Sequence, residues 1–226
     1  MATKKLTRRE LREDPIYEFL KESWEWLQLH LREVLIGAGA VAVVAVLVVL
    51  WQAQGRRNEE AASELLLKAE FLRNSGDAPA SLATLHDIQA RYAGSPSATR
   101  ALRDEGDLDF MLGKYADAQK QYQKFLDKVG PKGIEGRAGL GGLAACYDQT
   151  RQFEKAAETY GKVADIPGGG ELSAMALWAE GRCWRAAGKL DRAEAAYQRL
   201  MSEYRTSRYA PVAKMALAEV RAQAGR

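Results

Sequence analysis

The chain has 226 residues, and its 33 Lys and Arg against 30 Asp and Glu give a net charge of +3. So small and dispersed a charge excludes the concentrated basic face of a nucleic-acid-binding protein. Two cysteines, Cys146 and Cys183, lack C-x-x-C spacing, and His30 and His86 are isolated, so no metal or dithiol site is predicted. Abundant Ala and Leu and scarce Pro favour an all-α chain.

Residues 1–33 hold seven basic and seven acidic side chains. Residues 1–14 predict a solvated tail, and Pro15 suits the first turn of a following helix. One face of that helix is apolar, with Ile16, Phe19, Leu20, Trp24, Leu27 and Leu31 at mostly three- and four-residue steps. The helix either lies in a bilayer interface, with Trp24 and Trp26 at headgroup depth, or packs against a partner. The sequence leaves both alternatives open.

Residues 34–51 form an uncharged run in which 11 of 18 side chains are Val, Leu or Ile. As a helix the run is about 27 Å long, close to the thickness of a bilayer core. A buried helix of a soluble protein would normally carry a polar stripe, which this run lacks. We therefore predict one transmembrane anchor at residues 34–54, with Leu35, Leu50 and Trp51 in contact with lipid.

The distribution of basic residues predicts the orientation of this anchor. Seven Lys and Arg precede it, whereas only Arg56 and Arg57 occur in the first fifteen residues after Trp51. Cytoplasmic flanks carry the excess of Lys and Arg, so residues 1–33 are predicted to stay in the cytoplasm and residues 56–226 to lie across the membrane. A cleaved signal peptide fits poorly, because the apolar run exceeds the usual length.

One pattern occurs four times in residues 56–226, starting at Gly76, Gly113, Arg151 and Gly188. The starts are 37, 38 and 37 residues apart, a period typical of helical hairpins that stack into a solenoid. The predicted units are residues 60–96, 98–132, 136–170 and 172–207, followed by a capping helix at 209–224.

Each predicted unit has a helix, a turn and a second helix. A glycine suits the turn, where a left-handed residue ends the first helix. A small residue in the second helix lets two helices approach closely, at Ser81, Ala118, Ala156 and Ala193. Four places later a large residue fills the space between hairpins, at Leu85, Tyr122, Tyr160 and Tyr197.

These units resemble tetratricopeptide repeats. The small residue of the family's first helix is matched by Ala69, Gly106, Ala144 and Gly181. The large residue three places later is matched by Leu72, Tyr147 and Trp184, and Asp109 departs from the pattern. The resemblance implies a concave groove lined by first helices, with candidate protein-binding residues Glu70, Arg103, Asp107, Phe110, Asp148, Met175, Trp178, Arg182 and Arg185. Trp178 fits a core position equally well.

We predict no catalytic residue, cofactor or metal, and therefore no enzyme. The glycine-rich segment Gly136–Gly142 is superficially similar to a phosphate loop but lacks a preceding strand and a Lys-Ser/Thr pair. Asp104, Glu105 and Asp107 are interpreted as surface partners of nearby arginines. The two cysteines are interpreted as small buried residues. A disulfide is the alternative, although equivalent sites of stacked hairpins are about 10 Å apart.

The whole chain resembles the single-span tetratricopeptide-repeat-like membrane proteins typified by YfgM, an ancillary subunit of the Sec translocon. This resemblance rests on four features: the charged arm, the amphipathic stretch Phe19–Trp26, the span ending at Trp51-Gln52 and the adjacent repeats. It implies a single-pass protein of the bacterial inner membrane with a periplasmic repeat domain. The implied partners are translocon subunits, a membrane-anchored periplasmic chaperone and exported chains.

The alternative is a scaffold for cell-envelope assembly or cell division. It rests on Glu203–Ala213, which resembles the repeat ends of outer-membrane and division-linked members of the superfamily. In either case the anchor contacts lipid, no nucleic acid is bound, and homo-oligomerisation is left open.

Overall fold

The computed structural model describes residues 15–225, with side chains from Tyr17 onward. The tail predicted for residues 1–14 lies outside this range. The described residues form ten α-helices and no strand, so the predicted all-α architecture is confirmed. They fall into two compact units that divide between Arg57 and Asn58.

The first unit contains α1 (Pro15–Leu29) and the beginning of α2 (Leu31–Asn74). Only His30 separates them, and its amide donates to the carbonyl of Trp26 at 3.0 Å. The imidazole of His30 stacks on the Trp26 ring, with centroids 4.6 Å apart. Among the described helices, only α2 is long and apolar enough to cross a bilayer, with a window of mean hydropathy 2.8.

The second unit contains four helical hairpins and a final helix. Its first helices are the end of α2 from Asn58 onward, α4 (Pro96–Met111), α6 (Gly133–Gln149) and α8 (Glu171–Ala186). Its second helices are α3 (Ala78–Tyr92), α5 (Tyr115–Val129), α7 (Phe153–Asp165) and α9 (Leu190–Glu203). The capping helix α10 (Ala210–Gln223) follows, so the predicted solenoid of four hairpins with a cap is confirmed.

The turns inside the hairpins show why the repeat pattern begins with glycine. Gly113 ends its helix in the left-handed region at φ +75°. The third hairpin has Arg151 at the equivalent position, with φ +58°. A side chain in this region is strained, because its Cβ approaches the following carbonyl oxygen.

The predicted pairs of small and large residues pack between helices. Ala118 and Tyr122 are buried, as are Ala193 and Tyr197. The Tyr122 ring lies against Gly106 of α4 and Gly142 of α6, and a Cβ at either glycine would meet the ring. The glycines at 139 and 142 in the segment Gly136–Gly142 therefore have packing roles, with Gly139 facing Phe125 and Leu126.

Candidate protein-binding face

The nine candidate residues all lie on first helices, and none of them is fully buried. Glu70 and Met175 are exposed. The other seven are half-buried: Arg103, Asp107, Phe110, Asp148, Trp178, Arg182 and Arg185. We call the exposed side of α2 from Asn58, α4, α6, α8 and α10 the first-helix face.

Ion pairs connect neighbouring first helices across this face. Arg182 of α8 pairs with Asp148 of α6, whose side chain is only 11% exposed. The hydrogen bond to Asp148 raises the pKa of Arg182. Nη1 of Arg185 lies 2.6 Å from Oε2 of Glu219 on α10. Three predicted residues on α6 and α8 are therefore engaged within the fold.

A second polar group lies on α4. Nη2 of Arg103 is 2.8 Å from Oδ1 of Asp104, and its Nε is 4.0 Å from Oδ2 of Asp107. The hydroxyl of Tyr122 donates to Oδ1 of Asp107 at 2.6 Å. Burial raises the pKa of Asp107, while the hydroxyl bond and Arg103 oppose that effect.

Aromatic candidates contact the second helices. Trp178 of α8 packs on Tyr197 of α9, with ring centroids 5.5 Å apart. Phe110 meets Tyr115 edge to face, with centroids 5.3 Å apart. Trp178 thus contacts the core and remains partly exposed, and its protein-binding role stays a prediction.

The interpretation of Glu105 as a surface partner of arginine is wrong. Its side chain is 3% exposed, and Oε1 lies 2.9 Å from Nε2 of His86. Gln121 donates to the same oxygen at 2.5 Å, and Gln89 donates to Oε2. Glu105 therefore joins α3, α4 and α5. The missed signal is the helical spacing from Ala98 through Leu102 to Glu105, which places the carboxylate on the buried stripe of α4.

Sequence reasoning also missed the role of Arg137, which is 8% exposed within the glycine-rich segment. Its Nη2 donates to the carbonyls of Ile166 and Pro167 at 2.6 and 3.0 Å, and its Nη1 donates to Oγ of Ser173 at 2.9 Å. The guanidinium thus holds the segment between α7 and α8 against α6.

Both cysteines are buried, as predicted, and the structure has no disulfide between them. Burial raises the pKa of each thiol to about 12. From residue 15 to residue 225, no group of three His, Cys, Asp or Glu side chains is arranged to hold a metal ion.

Comparison with known proteins gives one family match. The family described as "Tetratricopeptide repeat-like domain" matches residues 24–201. No curated protein matches the chain.

Several solved structures share the fold. A tetratricopeptide repeat protein from Parabacteroides merdae is 20% identical with a TM-score of 0.62, and the match covers 73% of this chain and 61% of that one. MamA is 15% identical with a TM-score of 0.58, covering 70% and 84% of the two chains. A kinesin light chain-like repeat protein of Podospora anserina is 14% identical with a TM-score of 0.56, covering 74% and 88%. At these identities the likeness shows the fold alone.

Proposed function

Because this chain belongs to the tetratricopeptide repeat-like domain family, we propose that it is a non-catalytic adaptor whose first-helix face binds other proteins. The carrying observation is that charged and aromatic side chains remain partly exposed on four successive first helices. Ion pairs within the fold hold several of them in place. A binding surface of this kind is preorganised, which reduces the entropy lost on association.

We further propose that residues 34–54 anchor this adaptor in the bacterial inner membrane. The N-terminal arm then stays in the cytoplasm, and the repeat domain is periplasmic. The length and composition of α2 and the excess of basic residues before it support this topology. A reporter that is active only outside the cytoplasm, fused after Arg226, is expected to be active. A fusion protein that is stable but inactive would reverse the proposed orientation of the anchor.

The proposed role is that of an ancillary subunit of the translocon and periplasmic chaperone network. The support is the arrangement of arm, anchor and repeats in this sequence. The alternative is a scaffold for envelope assembly or cell division.

Site-specific photocrosslinking in living cells separates these roles. A photocrosslinking residue at the exposed Met175 is expected to capture translocon subunits or a membrane-anchored chaperone. The same residue at Lys120, which is 70% exposed on the second helix α5, is the matched control. Capture of only division or outer-membrane proteins would favour the scaffold, and no capture above the Lys120 control would contradict the adaptor function.

A further inference from the structure

Apolar residues occupy equivalent positions on the last three helices of the first-helix face. They are Ala138 and Gly141 on α6, Met175 and Trp178 on α8, and Val212 and Met215 on α10, and we call this set the apolar strip. Positions 138, 175 and 212 follow one another at intervals of 37, and so do positions 141, 178 and 215. This interval equals the repeat period, so the strip crosses three neighbouring helices as two parallel rows.

The ion pairs between helices place the strip on the first-helix face. Asp148 and Arg182 connect α6 with α8, and Arg185 and Glu219 connect α8 with α10. Residue 141 precedes Asp148 by seven positions, as residue 175 precedes Arg182 and residue 212 precedes Glu219. Seven residues are about two helical turns, so these three strip residues, one on each helix, lie on the same side of their helices as the ion-pair residues.

Much of the strip is accessible. Met215 is 68% exposed, Val212 43% and Met175 40%. Charged side chains around the strip are engaged in ion pairs, Asp148 with Arg182, Arg185 with Glu219 and Glu171 with Arg208, so the strip itself is the apolar part of this end of the face. Two methionines allow such a surface to adapt its shape to an apolar ligand.

A single cation adjoins the strip on the side of α4. Arg100 lies 38 positions before Ala138 and is its equivalent in the preceding repeat. The side chain is exposed, and among the described residues no acidic side chain forms an ion pair with it. Nearby Arg103 is already paired with Asp104. An apolar ligand lying along the strip would therefore meet an unpaired guanidinium at one end.

We propose, building on the protein-binding function above, that the apolar strip binds an amphipathic helix of a partner protein whose apolar face is followed by an acidic residue. Neighbouring packed helices are about 10 Å apart, so the strip is about 20 Å long and Arg100 lies about 10 Å beyond it. At a rise of about 1.5 Å per residue, the apolar part of the ligand is about 13 residues long. The acidic residue lies about seven positions further on. The two rows of the strip match the stripe that a helix presents at i, i+3, i+4 and i+7.

The test uses full-length protein in nanodiscs and two fluorescent synthetic peptides of about 20 residues, sized by the same helical rise. Both peptides carry leucines at i, i+3, i+4 and i+7. One ends in two glutamates and the other in two lysines, and empty nanodiscs give the background binding to lipid. Fluorescence anisotropy is expected to show tighter binding of the glutamate peptide to the protein.

Matched substitutions locate the binding. Met215→Glu is expected to weaken binding of the glutamate peptide by about tenfold, since it places a carboxylate in an apolar contact. Met111→Glu alters a methionine of similar exposure, 73%, at the end of α4 outside the strip, and should leave binding unchanged. Arg100→Glu should reverse the preference toward the lysine peptide, because it reverses the charge at the end of the strip.

Each contrary result identifies what is wrong. If the glutamate peptide binds Met215→Glu and the unaltered protein equally well, the strip is not the binding site. If the peptide binds the protein in nanodiscs no more strongly than it binds empty nanodiscs, the peptide is binding lipid. Self-association abolished by Met215→Glu, without peptide binding, would make a second copy the occupant. Capture of proteins at Met175 together with no effect of Met215→Glu on peptide binding would leave the adaptor function standing and refute this inference alone.

Discussion

Tyr122 donates a 2.6 Å hydrogen bond to Asp107, whereas the hydroxyl of Tyr197, at the equivalent place two repeats later, is buried without a partner. The residue that corresponds to Asp107 in the last repeat is Arg182, and its guanidinium is bound to Asp148. Two tyrosines at the same repeat position therefore differ, because one buried hydroxyl is hydrogen-bonded and the other is not.

Phenylalanine substitutions test this contrast. Tyr122→Phe is expected to reduce the free energy of unfolding by about 1 kcal/mol, because a hydrogen bond is lost. Tyr197→Phe is expected to be neutral or stabilising by about 1 kcal/mol, because it removes a buried hydroxyl that has no partner. Urea unfolding of the full-length protein in detergent, followed by circular dichroism, measures both. A larger loss for Tyr197→Phe than for Tyr122→Phe would contradict the contrast.

Titration of Asp107 is expected to make the free energy of unfolding depend on pH. Burial raises its folded-state pKa above the unfolded value of about 3.9. Its contribution is therefore most favourable below that pH and is lost as the pH rises through the raised folded-state pKa. Asp107→Asn removes this titration and keeps an acceptor for Tyr122. The stability of the variant relative to the original protein should rise between pH 4 and pH 7, as measured by thermal unfolding. A fall in the relative stability of Asp107→Asn over this range would show that the pKa of Asp107 is not raised.

Neighbouring glycines on α6 should respond oppositely to alanine. At Gly142 a Cβ would meet the Tyr122 ring, so Gly142→Ala should destabilise by about 1–3 kcal/mol through overpacking. At Gly141 an added Cβ would meet no neighbouring helix or side chain within 4 Å, so Gly141→Ala should stabilise by up to about 1 kcal/mol through helix propensity. Thermal unfolding of the two variants tests this prediction. Similar changes in the unfolding temperature of both variants would contradict the packing of Tyr122 against Gly142.

Arg151 offers a test of backbone strain. Its φ of +58° suits glycine, so Arg151→Gly should stabilise by about 1 kcal/mol. Gly113→Arg, at the equivalent turn with φ +75°, is the reciprocal variant and should destabilise by a similar amount. Chemical unfolding of both variants checks the prediction, and a loss of stability in Arg151→Gly would show that the arginine side chain stabilises its turn.

Both cysteines should be unreactive in the folded protein. A pKa of about 12 leaves little thiolate at pH 8, and each sulfur is buried. A thiol reagent should modify neither residue until denaturant is added, and then both, as counted by mass spectrometry. Rapid labelling under native conditions, or a disulfide between Cys146 and Cys183 after mild oxidation, would contradict this expectation.

The sequence by itself determined the all-α class, the apolar helix and the repeated hairpins. Those features follow from periodic apolar residues, from small residues such as Ala118 at close helix contacts, and from glycines in the turns. Each depends on neighbours within one or two helical turns, so its signal is local.

Tertiary structure alone decided how the polar residues are used. Arg182 reaches Asp148 across 34 positions, Arg137 binds carbonyls 29 and 30 positions away, and Glu105 is enclosed by side chains from α3 and α5. Such contacts depend on the rotation of one packed helix against the next and on the rotamers of long side chains, and the periodicity of a single chain segment specifies neither.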